Sequence, residues 1–149
     1  MLFNVVSIAI EATITMYLVQ ALFPLGSAPY LKAFAPEQRY ALASLAIRSH
    51  GYGFGVALIF FGCFCLVAGR LIFRSGYLPK ALGILMQVAG ASYLVDSFTL
   101  IVAPDLANRL FPAILIPAFV GETTLCLWLL VRGVNVERWN HMEAQRSMR

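Results

Sequence analysis

The sequence predicts an all-α integral membrane protein: a four-helix bundle with an amphipathic interfacial helix before the second span. Apolar residues make up 60% of the 149 residues and charged residues 12%, whereas a typical soluble domain has roughly 45–50% and about 25%. The mean hydropathy is +0.80. Four apolar runs reach the roughly 20 residues that a helix needs to cross a bilayer. These features exclude a soluble globule, a disordered chain, a coiled coil and a nucleic-acid-binding domain.

The first apolar run covers residues 2–23. Such runs are expected to be helices, because they are too continuous for the alternating strands of a membrane barrel. No Lys or Arg precedes this run and Glu11 stands in its middle, so we interpret it as a span rather than a cleaved signal peptide. Pro24 and Pro29 end the helix.

The second span, residues 51–73, follows a segment of mixed polarity. Residues 36–49 combine leucines with charged side chains, which predicts an amphipathic helix at the outer interface that runs into the span. The glycines at 51, 53 and 55 suggest a kink at the junction. Small residues on one face of a span permit close helix packing, and this span has such a face. Its members are Gly51, Gly55, Gly62 and Gly69.

A tight turn separates the second span from the third, which covers residues 82–102. Gly76 is a natural helix C-cap and Pro79 a natural helix start. The third span is followed by a short polar link, residues 105–111.

The fourth span covers residues 112–131, and Pro117 is expected to kink it by freeing a backbone carbonyl. Residues 133–149 are predicted to form a solvated cytoplasmic tail helix. The whole chain, 1–149, is predicted to be a single transmembrane domain.

The distribution of Lys and Arg predicts the orientation, because these residues are enriched on the cytoplasmic side of membrane proteins. One side of the bundle carries Arg70, Arg74, Lys80, Arg132, Arg138, Arg146 and Arg149. The other side carries only Lys32, Arg39, Arg48 and Arg109. The chain is therefore expected to be a multi-pass protein of the cell inner membrane with both termini in the cytoplasm. The same pattern accounts for the net charge of +4 without a nucleic-acid partner.

Three carboxyl groups lie within the predicted spans: Glu11, Asp96 and Glu122. A charge at the centre of a span costs about 2.5–3.5 kcal/mol, so such residues are candidates for function. A helical rise of about 1.5 Å per residue places Glu11 and Glu122 at a similar depth and Asp96 roughly 10 Å further out. Each acid lies on a polar stripe of its helix, with Tyr93 beside the stripe of Asp96. We expect all three to face the bundle interior and to form a chamber that opens toward the outer face.

His50 and Arg48 complete the candidate cluster at the outer end of the second span. We expect His50 to hydrogen-bond to Asp96 or to a backbone carbonyl, and Arg48 to be a natural partner of Asp96. The spans contain no second His and no H-x-x-x-H or H-E-x-x-H pattern, so neither a metal site nor a cofactor is predicted.

The cluster is compatible with three classes of function. Two carboxyl groups at equal depth would share a proton, which suits binding or transport of protons, cations or small solutes. A His and acids could instead serve a membrane-embedded enzyme. Alternatively, the acids only hold helices together in a structural or partner-binding subunit. The lipid bilayer is an expected partner, and so is a second copy of the chain, because four short helices leave little room for a private pathway.

Several sequence motifs resemble an uncharacterised prokaryotic membrane-protein family, domain of unknown function number 4386. They are HGYGFG at 50–55, LIFRSGYLP at 71–79, YLVDSF at 93–98, FPA at 111–113, PAFVGE at 117–122 and LWLLVRG at 127–133. The resemblance covers residues 30–139 well and the first span loosely. It implies a multi-span bacterial inner-membrane protein and no catalytic residues. Members usually carry additional N-terminal spans, so the chain is expected to be a short variant, a chain with a mis-assigned start, or a fragment.

Overall fold

The computed structural model describes the backbone of residues 1–147 and the side chains of residues 1–140 and 144. Arg149 and the side chain of Arg146, which enter the predicted orientation, lie outside the described residues. The regular elements in this part of the chain are helical, as predicted. They are α1 (Leu2–Leu22), α2 (Pro36–Ser75), α3 (Lys80–Val102), α4 (Pro104–Leu110), α5 (Ile116–Val131) and α6 (Val136–Ser147).

Four helical segments are long and apolar enough to cross a membrane, and each overlaps one of the four predicted spans. They are Leu2–Leu25, Pro36–Ser75, Lys80–Val102 and Ala113–Val131. The amphipathic segment 36–49 is helical and continuous with the second span, so that α2 has 40 residues. A helix of this length extends about 60 Å, which is twice the thickness of a bilayer core. α2 is therefore longer than a single crossing requires.

The start of α2 is tied to the end of the first span. Arg39 donates hydrogen bonds from Nε to the Pro24 carbonyl and from Nη2 to the Gly26 carbonyl, and both donor–acceptor distances are 2.6 Å. These carbonyls belong to a 3₁₀ turn, Phe23–Leu25, and its C-cap Gly26, where regular helical bonding has ended. A charged side chain that lies on apolar helix ends is thereby satisfied by backbone acceptors.

Glycines bring α2 and α3 into backbone contact. A Cβ atom at Gly90 would lie 2.6 Å from the Gly62 carbonyl oxygen, and one at Gly83 would lie 2.7 Å from that of Gly69. No other residue fits at these distances. The glycine face predicted for the second span is therefore its contact surface with α3, except at Gly51, which has open space beside it. The turn between the helices uses Gly76 in the left-handed region (φ 74°), as predicted for a helix C-cap.

Beyond the end of α3 the predicted polar link has regular structure, and the kink predicted at Pro117 is wrong. The link 105–111 is mostly helical: α4 begins with Pro104, has Asp105 in its first turn and Arg109 in its last, an arrangement that suits the helix dipole. Pro117 does not interrupt the fourth span, because it lies in the first turn of α5. At that position its missing N–H removes no helical hydrogen bond.

The long helices pack as a row in the order α1, α2, α3, α5. α1 runs antiparallel to α2 and contacts it from its start to about its middle, since the Ser7 hydroxyl donates to the Ala57 carbonyl and Ile14 lies against Gly53. α3 contacts the second half, from Gly55 to Gly69. We call the end of the row that contains α4 the α4 end, and the opposite end, where α5 leads into α6, the α6 end.

Candidate functional site

A carboxyl group and a phenol meet where α3 and α5 pack together. The Tyr93 hydroxyl donates a hydrogen bond to Glu122 Oε1 over 2.8 Å, and both residues are half-buried. Among the described residues this is the one hydrogen bond between two side chains. The neighbouring Gly121 makes the approach possible, because a Cβ there would lie 2.8 Å from the Leu85 carbonyl oxygen. Glu122 is thus held against α3 by the packing of its own helix.

α2 closes the other side of this pair. The Phe61 ring contacts the Tyr93 ring edge-on, with centroids 5.5 Å apart and an interplanar angle of 63°. Gly62 allows this contact, since a Cβ there would lie 3.2 Å from the Tyr93 Cβ. Cys65 is fully buried and close enough to Glu122 and Tyr93 to interact electrostatically with both. We call Phe61, Cys65, Tyr93 and Glu122 the carboxyl–phenol site.

The carboxyl–phenol site lies near the middle of the apolar helices. Glu122 is about 13 Å along α5 from its end at Val131. Cys65 is about 15 Å along α2 from its end at Ser75. Half of a bilayer core about 30 Å thick is the same distance. A polar pair at this depth is remote from water at either end of the bundle.

Asp96 lies one turn from Tyr93 toward the α4 end. Its carboxyl group is half-buried and makes no hydrogen bond or ion pair with any other side chain that the structure describes. The adjacent Ser97 hydroxyl is fully buried and also has no hydrogen-bond partner there. The other hydroxyls of the predicted polar stripe bond to their own helix: Ser92 to the Ala89 carbonyl and Thr99 to the Val95 carbonyl. Unpaired polar groups therefore continue from Tyr93 toward the α4 end.

His50 and Arg48 lie apart from the acids. His50 stacks on Phe54 of its own helix, with centroids 6.2 Å apart. It is about 22 Å along α2 from Cys65. Arg48 is exposed and lines a cavity of about 530 Å³ at the α4 end together with Asp105 and Asn108. The structure therefore brings neither residue into a hydrogen bond or an ion pair with Asp96 in the described part of the chain.

Glu11 is exposed, and the structure does not bring it to Glu122. The contact register places Glu11 level with about Gly55 of α2, whereas Glu122 is level with Cys65. That separation is about 15 Å along α2, and α1 and α5 lie at opposite ends of the row. The predicted equal depth assumed that all spans end at the same level, but α1 is displaced toward the α4 end.

Sequence reasoning named Tyr93 only as a neighbour of Asp96 and did not include Phe61 or Cys65. The depth of Tyr93 could have indicated this contact. Tyr93 lies about one turn nearer the α4 end than Glu122, and helical side chains point back toward the start of their own helix, so the Tyr93 hydroxyl reaches the carboxyl group. In the part of the chain that the structure describes, no three His, Cys, Asp or Glu residues come together to hold a metal ion. The predicted chamber is replaced by one bonded pair and one unpaired acid.

Comparisons with known proteins agree with the resemblance seen in the motifs. A model of the family described as "Domain of unknown function (DUF4386)" matches residues 1–133. A protein of Archaeoglobus fulgidus described as "Uncharacterized protein" is 31% identical over 75 residues, which are 50% of this chain and 43% of that protein. The match thus spans less than half the length of that relative. No solved structure matches the chain.

Proposed function

Because the chain belongs to the DUF4386 family, a domain of unknown function, we propose a function from its own geometry: it is a membrane transport protein whose carboxyl–phenol site binds and releases a proton. The observation that carries the proposal is the 2.8 Å hydrogen bond from Tyr93 to Glu122 near the middle of four apolar helices. Ionisable side chains are rare at that depth and mark proton or ion pathways in many membrane proteins.

The surroundings of Glu122 support both protonation states. When the carboxyl group is ionised, the Tyr93 hydroxyl donates to it and stabilises the charge. When it is protonated, the neutral group lies beside the Phe61 ring and the buried Cys65 without an uncompensated charge. A group that can hold or lose a proton without a change in its packing is suited to proton exchange.

The polar groups on the α4 side of the site suggest the direction of proton access. Asp96 and Ser97 lie about one turn from Tyr93 and have unused hydrogen-bonding capacity within the described residues. A proton that leaves Glu122 toward the α4 end would meet these groups next. We therefore propose that Asp96, and not Glu11 as predicted, is the protonatable group that exchanges protons with Glu122.

Proton flux in reconstituted vesicles tests the proposal. The purified chain would be placed in liposomes that contain a pH-sensitive dye, and a potassium gradient with valinomycin would set the membrane potential. We expect acidification of the lumen above that of empty liposomes, a loss of at least about tenfold in Glu122→Gln, and a smaller loss in Tyr93→Phe, which keeps the carboxyl group.

Glu11→Gln is the matched control, because it removes an acid from an exposed position about 15 Å from the site along α2. We expect this variant to carry wild-type flux. Wild-type flux no greater than that of empty liposomes, or a Glu122→Gln variant as active as wild type, would refute the proposal.

The same hydrogen bond also favours a second candidate, a structural role in which Glu122 and Tyr93 only join α5 to α3. The flux measurement separates the two. A structural role predicts that Glu122→Gln lowers the thermal stability of the detergent-purified chain and that wild type carries no protons. The His and acid groupings required for an enzyme have no comparable support, because His50 lies about 22 Å along α2 from the level of Glu122.

A further inference from the structure

A polar cavity of about 390 Å³ lies at the α6 end of the bundle, away from the carboxyl–phenol site. Its volume falls within the range of small-molecule sites, about 300–1,000 Å³. One wall is the turn between α2 and α3, residues 76–79, and the other is the segment that joins α5 to α6. Arg132, Arg138 and Trp128 face it from the second wall.

The two walls are held together by contacts between distant parts of the sequence. The Asn135 amide donates to the Tyr77 carbonyl over 3.2 Å, and Arg138 Nη1 donates to the Gly76 carbonyl over 3.2 Å. The Tyr77 and Trp139 rings pack edge-on with centroids 5.0 Å apart. The turn on the α5 side uses Gly133 in the left-handed region (φ 63°), which L side chains rarely adopt. The cavity is thus built by specific tertiary contacts.

The guanidinium groups in the cavity have unused donors. The Arg132 guanidinium lies over the Trp128 ring, 5.3 Å from its centroid, and donates no hydrogen bond to any residue that the structure describes. The Arg138 guanidinium donates one hydrogen bond, to the Gly76 carbonyl. Each guanidinium has five N–H donors, and no Asp or Glu is among the described residues that line the cavity. Two cations with free, fork-shaped donor sets and no carboxylate between them favour a phosphate group.

The level of the cavity identifies the source of that phosphate. Ser75, Lys80 and Val131, where α2 ends, α3 begins and α5 ends, mark the boundary of the apolar segments beside it. Aromatic side chains such as Tyr77 and Trp128 are typical of the headgroup layer of a bilayer. Basic pockets at this level bind the headgroups of anionic lipids. We propose that this cleft binds the phosphate of an anionic phospholipid, held by Arg132 and Arg138.

Ligand-induced stabilisation of the purified full-length chain tests the proposal. Thermal unfolding in a neutral detergent would be followed during titration with dioctanoyl-phosphatidylglycerol, dioctanoyl-phosphatidylcholine and inorganic phosphate. A ligand that binds only the folded chain raises its unfolding temperature. We expect phosphatidylglycerol to do so at concentrations at which the other two have little effect, and each of Arg132→Gln and Arg138→Gln to weaken its binding by about tenfold or more.

Arg74→Gln is the matched control, because Arg74 is an exposed cation at the same end that does not line the cavity. Its binding should stay within about twofold of wild type. Equal losses in Arg74→Gln and Arg132→Gln would overturn the proposal in favour of diffuse charge attraction. Stabilisation by inorganic phosphate alone at the same concentrations would overturn the lipid source and leave a free phosphate site.

A further variant keeps the result interpretable if Arg138→Gln releases α6 from the turn. Arg132→Lys keeps the charge but loses the bidentate fork, and the Arg132 guanidinium donates no hydrogen bond to a backbone carbonyl among the described residues. We expect its binding to lie between that of wild type and that of Arg132→Gln. Wild-type affinity in both Arg132 variants would overturn the assignment of this residue.

Discussion

Glu122 and Glu11 are the same residue type in two apolar helices, yet Glu122 is half-buried against Tyr93 and Glu11 is exposed. The difference arises from the way each half of α2 holds its neighbour. α3 meets α2 through glycine backbones, and α5 meets α3 at Gly121, close enough for Glu122 to reach Tyr93. α1 meets α2 through a narrow seam of three buried residues, Ser7, Ile14 and Ala21. α1 and α5 both lie at an end of the row and have one long neighbour, so the burial of each carboxyl group is decided by whether the acid lies on the face that contacts that neighbour.

The position of Glu11 on α1 shows the same point in detail. At about 100° per residue, Glu11 is rotated by about 40° from Ser7 and Thr15 by about 80°. The predicted polar stripe thus meets the buried seam at Ser7 and turns away from it at Glu11 and Thr15. Because α1 packs extensively against α2 alone among the long helices, no other described helix covers this flank of α1.

The largest expected effect on the free energy of unfolding comes from adding one methyl group where α2 contacts a neighbouring helix. Gly90 lies at the contact of α2 with α3, and Gly53 lies at its contact with α1. A Cβ at Gly90 would lie 2.6 Å from the Gly62 carbonyl oxygen, which is backbone, whereas one at Gly53 would lie 2.6 Å from Ile14 Cγ2, a side-chain methyl group. The first substitution requires backbone to move, whereas the second requires a shift of one side chain. We expect Gly90→Ala to lower the free energy of unfolding by about 1–3 kcal/mol and Gly53→Ala by less than about 1 kcal/mol.

Denaturation by sodium dodecyl sulfate in mixed micelles, followed by circular dichroism, measures these free energies. Gly51→Ala is the control, since Gly51 has open space beside it and Ala is the better helix former, by about 1 kcal/mol. If Gly90→Ala were as well tolerated as Gly51→Ala, the close backbone contact of α2 with α3 would be wrong.

A smaller effect is expected from the bond between Tyr93 and Glu122. Hydrogen bonds between membrane helices contribute about 0.6 kcal/mol on average and up to about 1.7 kcal/mol in double-mutant cycles. We expect a coupling energy within this range for Tyr93→Phe combined with Glu122→Leu, measured by the same denaturation. Tyr52→Phe, at an exposed tyrosine of α2 that makes no side-chain hydrogen bond among the described residues, should show no coupling with Glu122→Leu. Equal coupling in the two cycles would mean that the bond does not form.

The parts of the fold that were predicted correctly depend on properties of single segments. Hydropathy and length locate the four spans, and Gly76 and Pro79 mark the turn, because these signals are local in the chain. The kink predicted at Pro117 is wrong because a proline is equally acceptable in the first turn of a helix, and hydropathy does not indicate the residue at which the helix begins. The orientation of the termini stays a prediction.

The parts that could not be predicted depend on which helices are neighbours and in what register. Hydropathy places Glu122 and Tyr93 in different spans but says nothing of the glycine contacts that put α5 against α3 and Tyr93 against α2. The displacement of α1 along α2 follows from Ser7 and Ile14 seating against Ala57 and Gly53, and side-chain fit of this kind has no periodic signature. Counting depth from the helix ends therefore predicted a pair, Glu11 and Glu122, that the structure does not form.

The smallest expected effect is at Glu11, and it tests the comparison most directly. An exposed side chain without a partner in the described residues contributes little to stability, so Glu11→Gln should change the free energy of unfolding by less than about 0.5 kcal/mol. Glu122→Gln acts on a half-buried group that is hydrogen-bonded to Tyr93, and should change the free energy of unfolding by more than Glu11→Gln does. A loss above about 1 kcal/mol in Glu11→Gln would indicate a partner for Glu11 from outside the described residues, for which a second copy of the chain is the candidate. Cross-linking at the same protein concentration would then identify that partner as a second copy, because the open flank of α1 is the surface that such a copy would cover.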